Sequence, residues 1–500
     1  VDKIVLNRFL GLPIFLFVMY LMFLLAINIG GALQPLFDVG SVALFVHGIQ
    51  WIGYTLHFPD WLTIFLAQGL GGGINTVLPL VPQIGMMYLF LSFLEDSGYM
   101  ARAAFVMDRL MQALGLPGKS FVPLIVGFGC NVPSVMGART LDAPRERLMT
   151  IMMAPFMSCG ARLAIFAVFA AAFFGQNGAL AVFSLYMLGI VMAVLTGLML
   201  KYTIMRGEAT PFVMELPVYH VPHVKSLIIQ TWQRLKGFVL RAGKVIIIVS
   251  IFLSAFNSFS LSGKIVDNIN DSALASVSRV ITPVFKPIGV HEDNWQATVG
   301  LFTGAMAKEV VVGTLNTLYT AENIQDEEFN PAEFNLGEEL FSAVDETWQS
   351  LKDTFSLSVL MNPIEASKGD GEMGTGAMGV MDQKFGSAAA AYSYLIFVLL
   401  YVPCISVMGA IARESSRGWM GFSILWGLNI AYSLATLFYQ VASYSQHPTY
   451  SLVCILAVIL FNIVVIGLLR RARSRVDVEL LATRKSVSSC CAASTTGDCH

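Results

Sequence analysis

The sequence predicts an all-α polytopic membrane protein, with about eight transmembrane helices plus two broken or re-entrant segments arranged as two repeats. Three observations carry this expectation. Charged residues make up 13% of the 500-residue chain and apolar residues 56%, against roughly 25% and ~45–50% in soluble domains. Mean hydropathy is +0.68. Apolar runs of about 20 residues recur, the length that crosses ~30 Å of hydrocarbon. The formal net charge of −2 lacks the basic excess of a nucleic-acid binder, and seven Cys are too few for a disulfide scaffold.

In chain order the runs are Gly11–Gly30, Asn75–Leu94, Leu148–Phe174, Ala179–Leu200, Phe238–Phe259, Tyr392–Ala412, Phe422–Gln440 and Ser451–Leu469. They are continuous rather than alternating, which argues for helices over barrel strands. Phe121–Ala138 and Trp295–Leu318 are apolar but interrupted by Gly, Pro or charge. The first run is too long for a signal peptide and lacks a small-residue cleavage site. No basic residue falls between Arg8 and Arg102, so Gly31 to Gly73 reads as an external loop. Lys201, Arg206, Lys225, Arg234, Lys236, Arg241 and Lys244 mark a cytoplasmic stretch, and Arg470, Arg471, Arg473 and Arg475 place the C-terminus inside as well. Both termini are then cytoplasmic.

The expected organisation is 1–74, first transmembrane helix and external loop; 75–175, first repeat; 176–294, central helices with the basic loop; 295–412, second repeat; 413–470, last helices; and 471–500, a cytoplasmic tail. An insertion at 319–387 holds fourteen acidic residues and three Lys, with Met361, Met373, Met378 and Met381 in a Gly-rich stretch. Its plain reading is a solvated acidic loop; the sharper one is a cation-attracting vestibule with thioether donors.

The repeat is visible in the residues. Ser134-Val135-Met136-Gly137-Ala138 recurs as Ser406-Val407-Met408-Gly409-Ala410, each copy preceded by Cys and Pro (Cys130 and Pro133; Pro403 and Cys404) and followed by an Arg. The motif reads either as a small-residue packing seam or as a mark of paired broken helices, of the kind that hold substrate at mid-membrane in transporters. Cys130 lies between Gly129 and Asn131, Cys159 between Ser158 and Gly160 with Pro155 and Met157 before it, and Cys404 after Pro403. Gly and Pro open the backbone there, so thiols and carbonyls can face a cavity. Each Cys taken alone is as readily a small buried hydrophobe. Three at helix interruptions point instead to soft ligands for Fe²⁺, Cu⁺ or Zn²⁺, in a site left incomplete so that it can release its ion.

Charges at membrane depth usually mark a pathway or a pair. Glu95 and Asp96 end a span and are either face caps or pathway residues, Arg162 lies inside another span, and Lys308 and Glu309 are adjacent, with Glu309 expected to face the ion route. Gly118-Lys119-Ser120 fails as a phosphate loop because Ala113 stands where the first Gly belongs. His220 and His223 lie in the basic loop and read as connector, while Cys490, Cys491, Cys499 and His500 sit in a tail whose composition builds no core. No nucleophile–base set or zinc-protease helix motif appears, so the chain is not expected to be an enzyme.

These residues carry a resemblance. Leu94-Glu95-Asp96-Ser97-Gly98-Tyr99-Met100-Ala101-Arg102, Val126 to Pro133, Ala154 to Arg162 and Ala307-Lys308-Glu309-Val310-Val311 are similar to the membrane portion of the FeoB-type bacterial ferrous iron transporters, over essentially the whole chain. The resemblance implies a multi-pass importer of Fe²⁺ in the bacterial cytoplasmic (inner) membrane, with the two repeats acting as gates. Cys130, Cys159 and Cys404 match the family's membrane cysteines. With Met157 and Glu309 they form the expected metal set, and Asn131, Pro133, Ser134, Pro403, Ser406, Glu95, Asp96 and Lys308 form the expected pathway. Family members carry an N-terminal G-domain that binds and hydrolyses GTP with Mg²⁺, which this sequence does not include. That domain is the implied partner, alongside lipid, small cytoplasmic accessory proteins and further copies of the chain. The competing expectations are a nucleoside-like solute carrier, using Asn131, Ser134, Glu309 and Asn316, and a broader Mn²⁺ or Zn²⁺ permease.

Overall fold

The computed structural model describes residues 10–59, 62–63, 65–205, 219–258, 272–306, 308, 310–320, 335–354, 375–445 and 447–471. Among the described residues there is no β-strand, and the chain is an all-α multi-pass membrane protein. Glu309, Met361, Met373, Arg473, Arg475 and the tail residues Cys490, Cys491, Cys499 and His500 lie outside the described residues.

The principal helices are α1 (Gly11–Ala32), α2 (Leu80–Asp96), α3 (Tyr99–Leu114), α4 (Phe121–Val126), α5 (Asn131–Gly137), α6 (Pro144–Met153), α7 (Gly160–Phe169), α8 (Gly178–Thr203), α9 (Val224–Ser258), α10 (Trp295–Met306), α11 (Val310–Thr320), α12 (Leu336–Thr354), α13 (Ala388–Leu400), α14 (Ile405–Glu414), α15 (Arg417–Ala442) and α16 (Pro448–Arg471). Among the described residues six helical stretches are long and apolar enough to cross a membrane: Pro13–Thr55, Pro144–Phe174, Gly178–Thr203, Ala388–Glu414, Arg417–Ala442 and Pro448–Arg471. Of the other two expected spans, Asn75–Leu94 is divided at Pro79 and leaves α2 with 17 residues. Phe238–Phe259 falls, up to Ser258, in the later part of the 35-residue α9, whose earlier part carries Lys225, Arg234 and Lys236; Phe259 lies outside the described residues.

Two runs expected to be continuous are interrupted. The helix of Leu148–Phe174 stops at α6, passes through a 3₁₀ turn at Ala154–Phe156 and restarts as α7. That of Tyr392–Ala412 stops at the end of α13 and restarts at α14. Pro155 and Pro403 lie in these gaps, and proline removes a backbone donor and clashes with the preceding turn. With α4/α5 and α10/α11 the described structure holds four interrupted helix pairs in the two repeats.

The stretch expected as an external loop, Gly31 to Gly73, is helical at Gln34–Ser41, Val42–His47, Gly48–Thr55 and Phe65–Gly71. A lack of basic residues reports on orientation and says nothing against helix, and Val42-Ala43-Leu44-Phe45-Val46 is apolar enough to pack. The acidic insertion is likewise structured in part. Glu338 and Glu339 occupy the first turn of α12 and Lys352 the last, matching the helix dipole. This helix packs on Gln34–Ser41 and α1, where Ala343 is fully buried and His47 Nδ1 meets Glu339 Oε2 at 2.8 Å. Met381, read as a candidate thioether donor, is buried in the hydrophobic core.

The core around the interruptions is locked by aromatic rings. Phe169 of α7 stacks on Tyr394 of α13 at 5.3 Å and meets Phe385 at 5.6 Å, while the Tyr394 hydroxyl donates to the Ala297 carbonyl of α10 at 3.0 Å. On the periphery, α16 presents Leu452, Val453, Leu456, Leu460 and Phe461 outward, as a lipid-facing helix does. It is fastened to α15 by Asn429 to Asn462 (3.1 Å) and Asn462 to Ser433 (2.8 Å) hydrogen bonds.

Close packing at one glycine fixes the α10–Tyr401 distance. A methyl group on Gly304 would lie 2.5 Å from the Tyr401 hydroxyl and 2.7 Å from Val311 Cγ2. Gly304→Val is therefore expected to cost about 1–3 kcal/mol through overpacking, read as a lowered Tm in detergent. Gly237→Ala in α9, with nothing within 4 Å of the added methyl, should be neutral or stabilising by up to about 1 kcal/mol. Equal Tm values for the two variants would contradict this packing.

Candidate pathway at the helix interruptions

Cys130, Cys159 and Cys404 occupy one structural position. Each is the N-cap of a restarting helix, Cys130 of α5, Cys159 of α7 and Cys404 of α14. All three have extended backbone, and none makes a side-chain capping bond. An N-cap lies beside the unbonded N–H groups of the first turn and the positive end of the helix dipole, a setting that receives negative charge. All three are half-buried, and neither they nor Cys454 form a disulfide.

The first two thiols are brought together by backbone. Gly160 N donates to Gly129 O at 3.3 Å. The donor nitrogen is bonded to the carbonyl carbon of Cys159, and the acceptor belongs to the peptide unit that continues into Cys130. Asn131 adds a second tie, its Nδ2 donating to the Met157 carbonyl at 3.3 Å. The same carbonyl accepts from Arg162 Nη1 at 3.0 Å, and Pro155 O accepts from that nitrogen at 3.1 Å. The gap between α6 and α7 is thus bridged by the Asn131 and Arg162 side chains.

Tyr401 links this region to the second repeat. Its hydroxyl lies within electrostatic range of both Arg162 and Cys404, and the Lys308 ammonium sits 4.7 Å from its ring centroid. Helix α7 also contacts α11 and α13. Three interruptions, at Met157, Lys308 and Tyr401 to Cys404, therefore meet around one buried tyrosine, with the α4/α5 gap attached through Gly129 and Asn131.

The duplicated pentapeptides face each other. Helix α5, with Ser134 to Gly137, packs against α14, with Ser406 to Ala410. Just beyond them Arg139 Nε donates to Glu414 Oε2 at 2.7 Å and Nη2 to Oε1, a fork-to-carboxylate pair joining the ends of the two copies. Those hydrogen bonds push the Arg139 guanidinium further above its ordinary value. Pro133, Ser134 and Pro403 are buried and Ser406 half-buried. The buried oxygens Asn131 Oδ1 and Ser134 Oγ have no hydrogen-bond partner among the described residues.

Other expected residues are placed differently. Glu95 pairs with Arg234 of α9 at 2.9 Å and Asp96 accepts from Gln230 at 3.3 Å, so both are tied at the end of α2. Met157 is buried, and its carbonyl accepts from Asn131 and Arg162. Glu309 is not described. Among the described residues no cluster of three or more His, Cys, Asp or Glu forms a ready metal cage. Sequence reasoning noted Arg162 without giving it a role and passed over Tyr401 and the Gly129–Gly160 contact. The signal was present in Tyr401-Val402-Pro403-Cys404, where an aromatic with a polar tip stands beside a helix stop.

Comparison with known proteins agrees with this layout. The Gate family model, described as nucleoside recognition, matches residues 77–173 and 239–417, and a second model, described as the ferrous iron transport protein B C terminus, matches 182–234 between them. A protein of Shigella flexneri named Fe(2+) transporter FeoB is 99% identical over all 500 residues. One of the same name from Salmonella typhimurium is 94% identical over 500 residues. One from Legionella pneumophila is 50% identical over 480 residues, 94% of this chain and 62% of that protein. The chain spans 65% of the length of the Shigella and Salmonella relatives. No solved structure matches. The interrupted helix pairs fall inside the two Gate-matched portions, and the chain belongs to the Gate family, as the FeoB-type membrane part with the FeoB C-terminal segment set between its Gate portions.

Proposed function

We propose that the chain is the membrane pathway of a bacterial ferrous iron importer, carrying Fe²⁺ across the cytoplasmic membrane toward the side that holds both termini. The observation that carries this reading is the placement of three thiols at the N-caps of restarting helices, two of them joined through Gly160 and Gly129. Sulfur donors favour Fe²⁺ over Mg²⁺, Ca²⁺ and alkali ions. The lack of a closed cage among the described residues suits passage, because an ion must be held weakly enough to leave. Cys130, Cys159 and Cys404 supply the soft donors in this reading. Asn131 Oδ1 is a candidate oxygen donor, and Met157 and Glu309 complete the proposed set. Pro133, Ser134, Pro403, Ser406 and Lys308 line or shape the route. Glu95 and Asp96 belong to its rim.

The proposed energy source and control lie outside this chain, in a GTP-hydrolysing domain using Mg²⁺ that accounts for part of the remaining length of the relatives. Small cytoplasmic proteins and further copies of the chain are proposed partners. The relatives' shared name, with its stated ion, supports iron over a broader Mn²⁺ or Zn²⁺ permease. A nucleoside-like carrier finds support in the description of the Gate model and in the unpartnered oxygens of Asn131 and Ser134. It would be indifferent to the thiols.

Two measurements separate these readings. Cys130→Ser and Cys159→Ser in the full-length protein should abolish Fe²⁺ uptake by cells or proteoliposomes at unchanged protein level; unaffected uptake in both would remove the thiols as ligands. Asn131→Leu keeps the volume but removes the oxygen and the tie to Met157. It should raise the KM for Fe²⁺ by roughly tenfold, corresponding to ~1.4 kcal/mol. An unchanged KM, or uptake inhibited by nucleosides and not by competing divalent ions, would favour the carrier.

A further inference from the structure

Arg162 is among the largest side chains the structure buries completely. It lies in the first turn of α7, three residues after Cys159. Nη1 is spent on the Pro155 and Met157 carbonyls, while Nε and Nη2, the opposite edge of the guanidinium, have no hydrogen-bond partner among the described residues. No carboxylate pairs with it there. A buried charge without a counter-ion costs several kcal/mol. A neutral amide could donate to the same carbonyls without that cost. The expense therefore attaches to the positive charge itself.

We propose that Arg162 is the specificity-determining cation of the pathway: it withdraws the hard oxygen donors of the α6/α7 interruption and excludes ions that sulfur cannot coordinate. The Pro155 and Met157 carbonyls are released by the helix break, and bare carbonyl oxygens coordinate K⁺, Na⁺ or Ca²⁺. With the guanidinium seated on them they are unavailable, and its fixed charge repels every approaching cation. A transition-metal ion recovers that repulsion through thiol coordination; an alkali or alkaline-earth ion has no such gain. The inference rests on the interruptions being the ion route, and it concerns what that route rejects.

The test uses the full-length protein in liposomes, with K⁺ and Ca²⁺ fluxes read in the absence of iron and Fe²⁺ uptake read separately. R162Q, whose amide can still donate to the two carbonyls but carries no charge, should pass K⁺ and Ca²⁺ at least about tenfold faster than wild type. R162K, which keeps the charge, should stay close to wild type. A folded R162Q as tight as wild type, or R162K leaking as much as R162Q, overturns the proposal. If R162Q fails to reach the membrane, R162M is compared with R162K in the same way: leak in the first and tightness in the second support the proposal, and equal behaviour overturns it. Wild-type liposomes that exclude K⁺ but take up no Fe²⁺ would sink the iron reading while R162Q could still leak, so the two failures are distinguishable.

Discussion

Backbone interrupted inside hydrocarbon has to find partners for the N–H and C=O groups it releases, because no water is there to take them. The Gate portions of this chain contain four such interruptions, and their arrangement follows from that requirement. Gly160 N finds Gly129 O, the Met157 carbonyl takes Asn131 and Arg162, and Pro155 O takes Arg162 as well. The α4/α5 and α6/α7 interruptions are thus satisfied by each other and by the first turns of the helices that follow them. The thiols owe their common N-cap position to the same constraint, since a helix that stops must also restart.

Helices α5 and α14 carry the two pentapeptides and pack against each other. The equivalent glycines do not set this contact: Gly409 is exposed with nothing within 4 Å of an added methyl, and Gly137 faces Pro123 of α4. The Arg139–Glu414 pair closes the end of this contact. Arg139 is half exposed while the Glu414 side chain is only 7% exposed, so solvent screens one end of the pair and not the other. What it adds is register between two short helices that have few other polar ties.

The all-α membrane class was legible because hydropathy is a property of long windows. The thiol positions were legible because Pro155 and Pro403 are local signals that sit beside Cys159 and Cys404. The same windows hid the interruptions within Leu148–Phe174 and Tyr392–Ala412: a 3₁₀ turn or a four-residue gap made of Pro, Phe, Met, Val and Tyr is as apolar as the helices around it. Gly31 to Gly73 was misread because charge bias reports topology, not conformation. Helix α12 was hidden by its acidity, although its charge order along the dipole was there to be weighed. The site itself needed three dimensions. Arg162 is far in sequence from Tyr401 and Cys404, and only the fold brings it into their neighbourhood.

The balance of charge around Tyr401 then bears on how a divalent ion could pass. Among the described residues the vicinity holds two buried cations, Arg162 and Lys308, and no carboxylate paired with Arg162. Fixed oxygen donors alone would leave such a place hostile to any metal ion. Sulfur changes the comparison, because a thiolate brings both negative charge and a covalent component to its bond with a transition ion. On the proposed route, cations set beside thiols discriminate twice: they reject ions on charge and admit them on softness. Discrimination by attraction alone would demand tight binding, and tight binding slows release. Setting repulsion against coordination allows selectivity with a shallow well, which is the condition a transported ion requires.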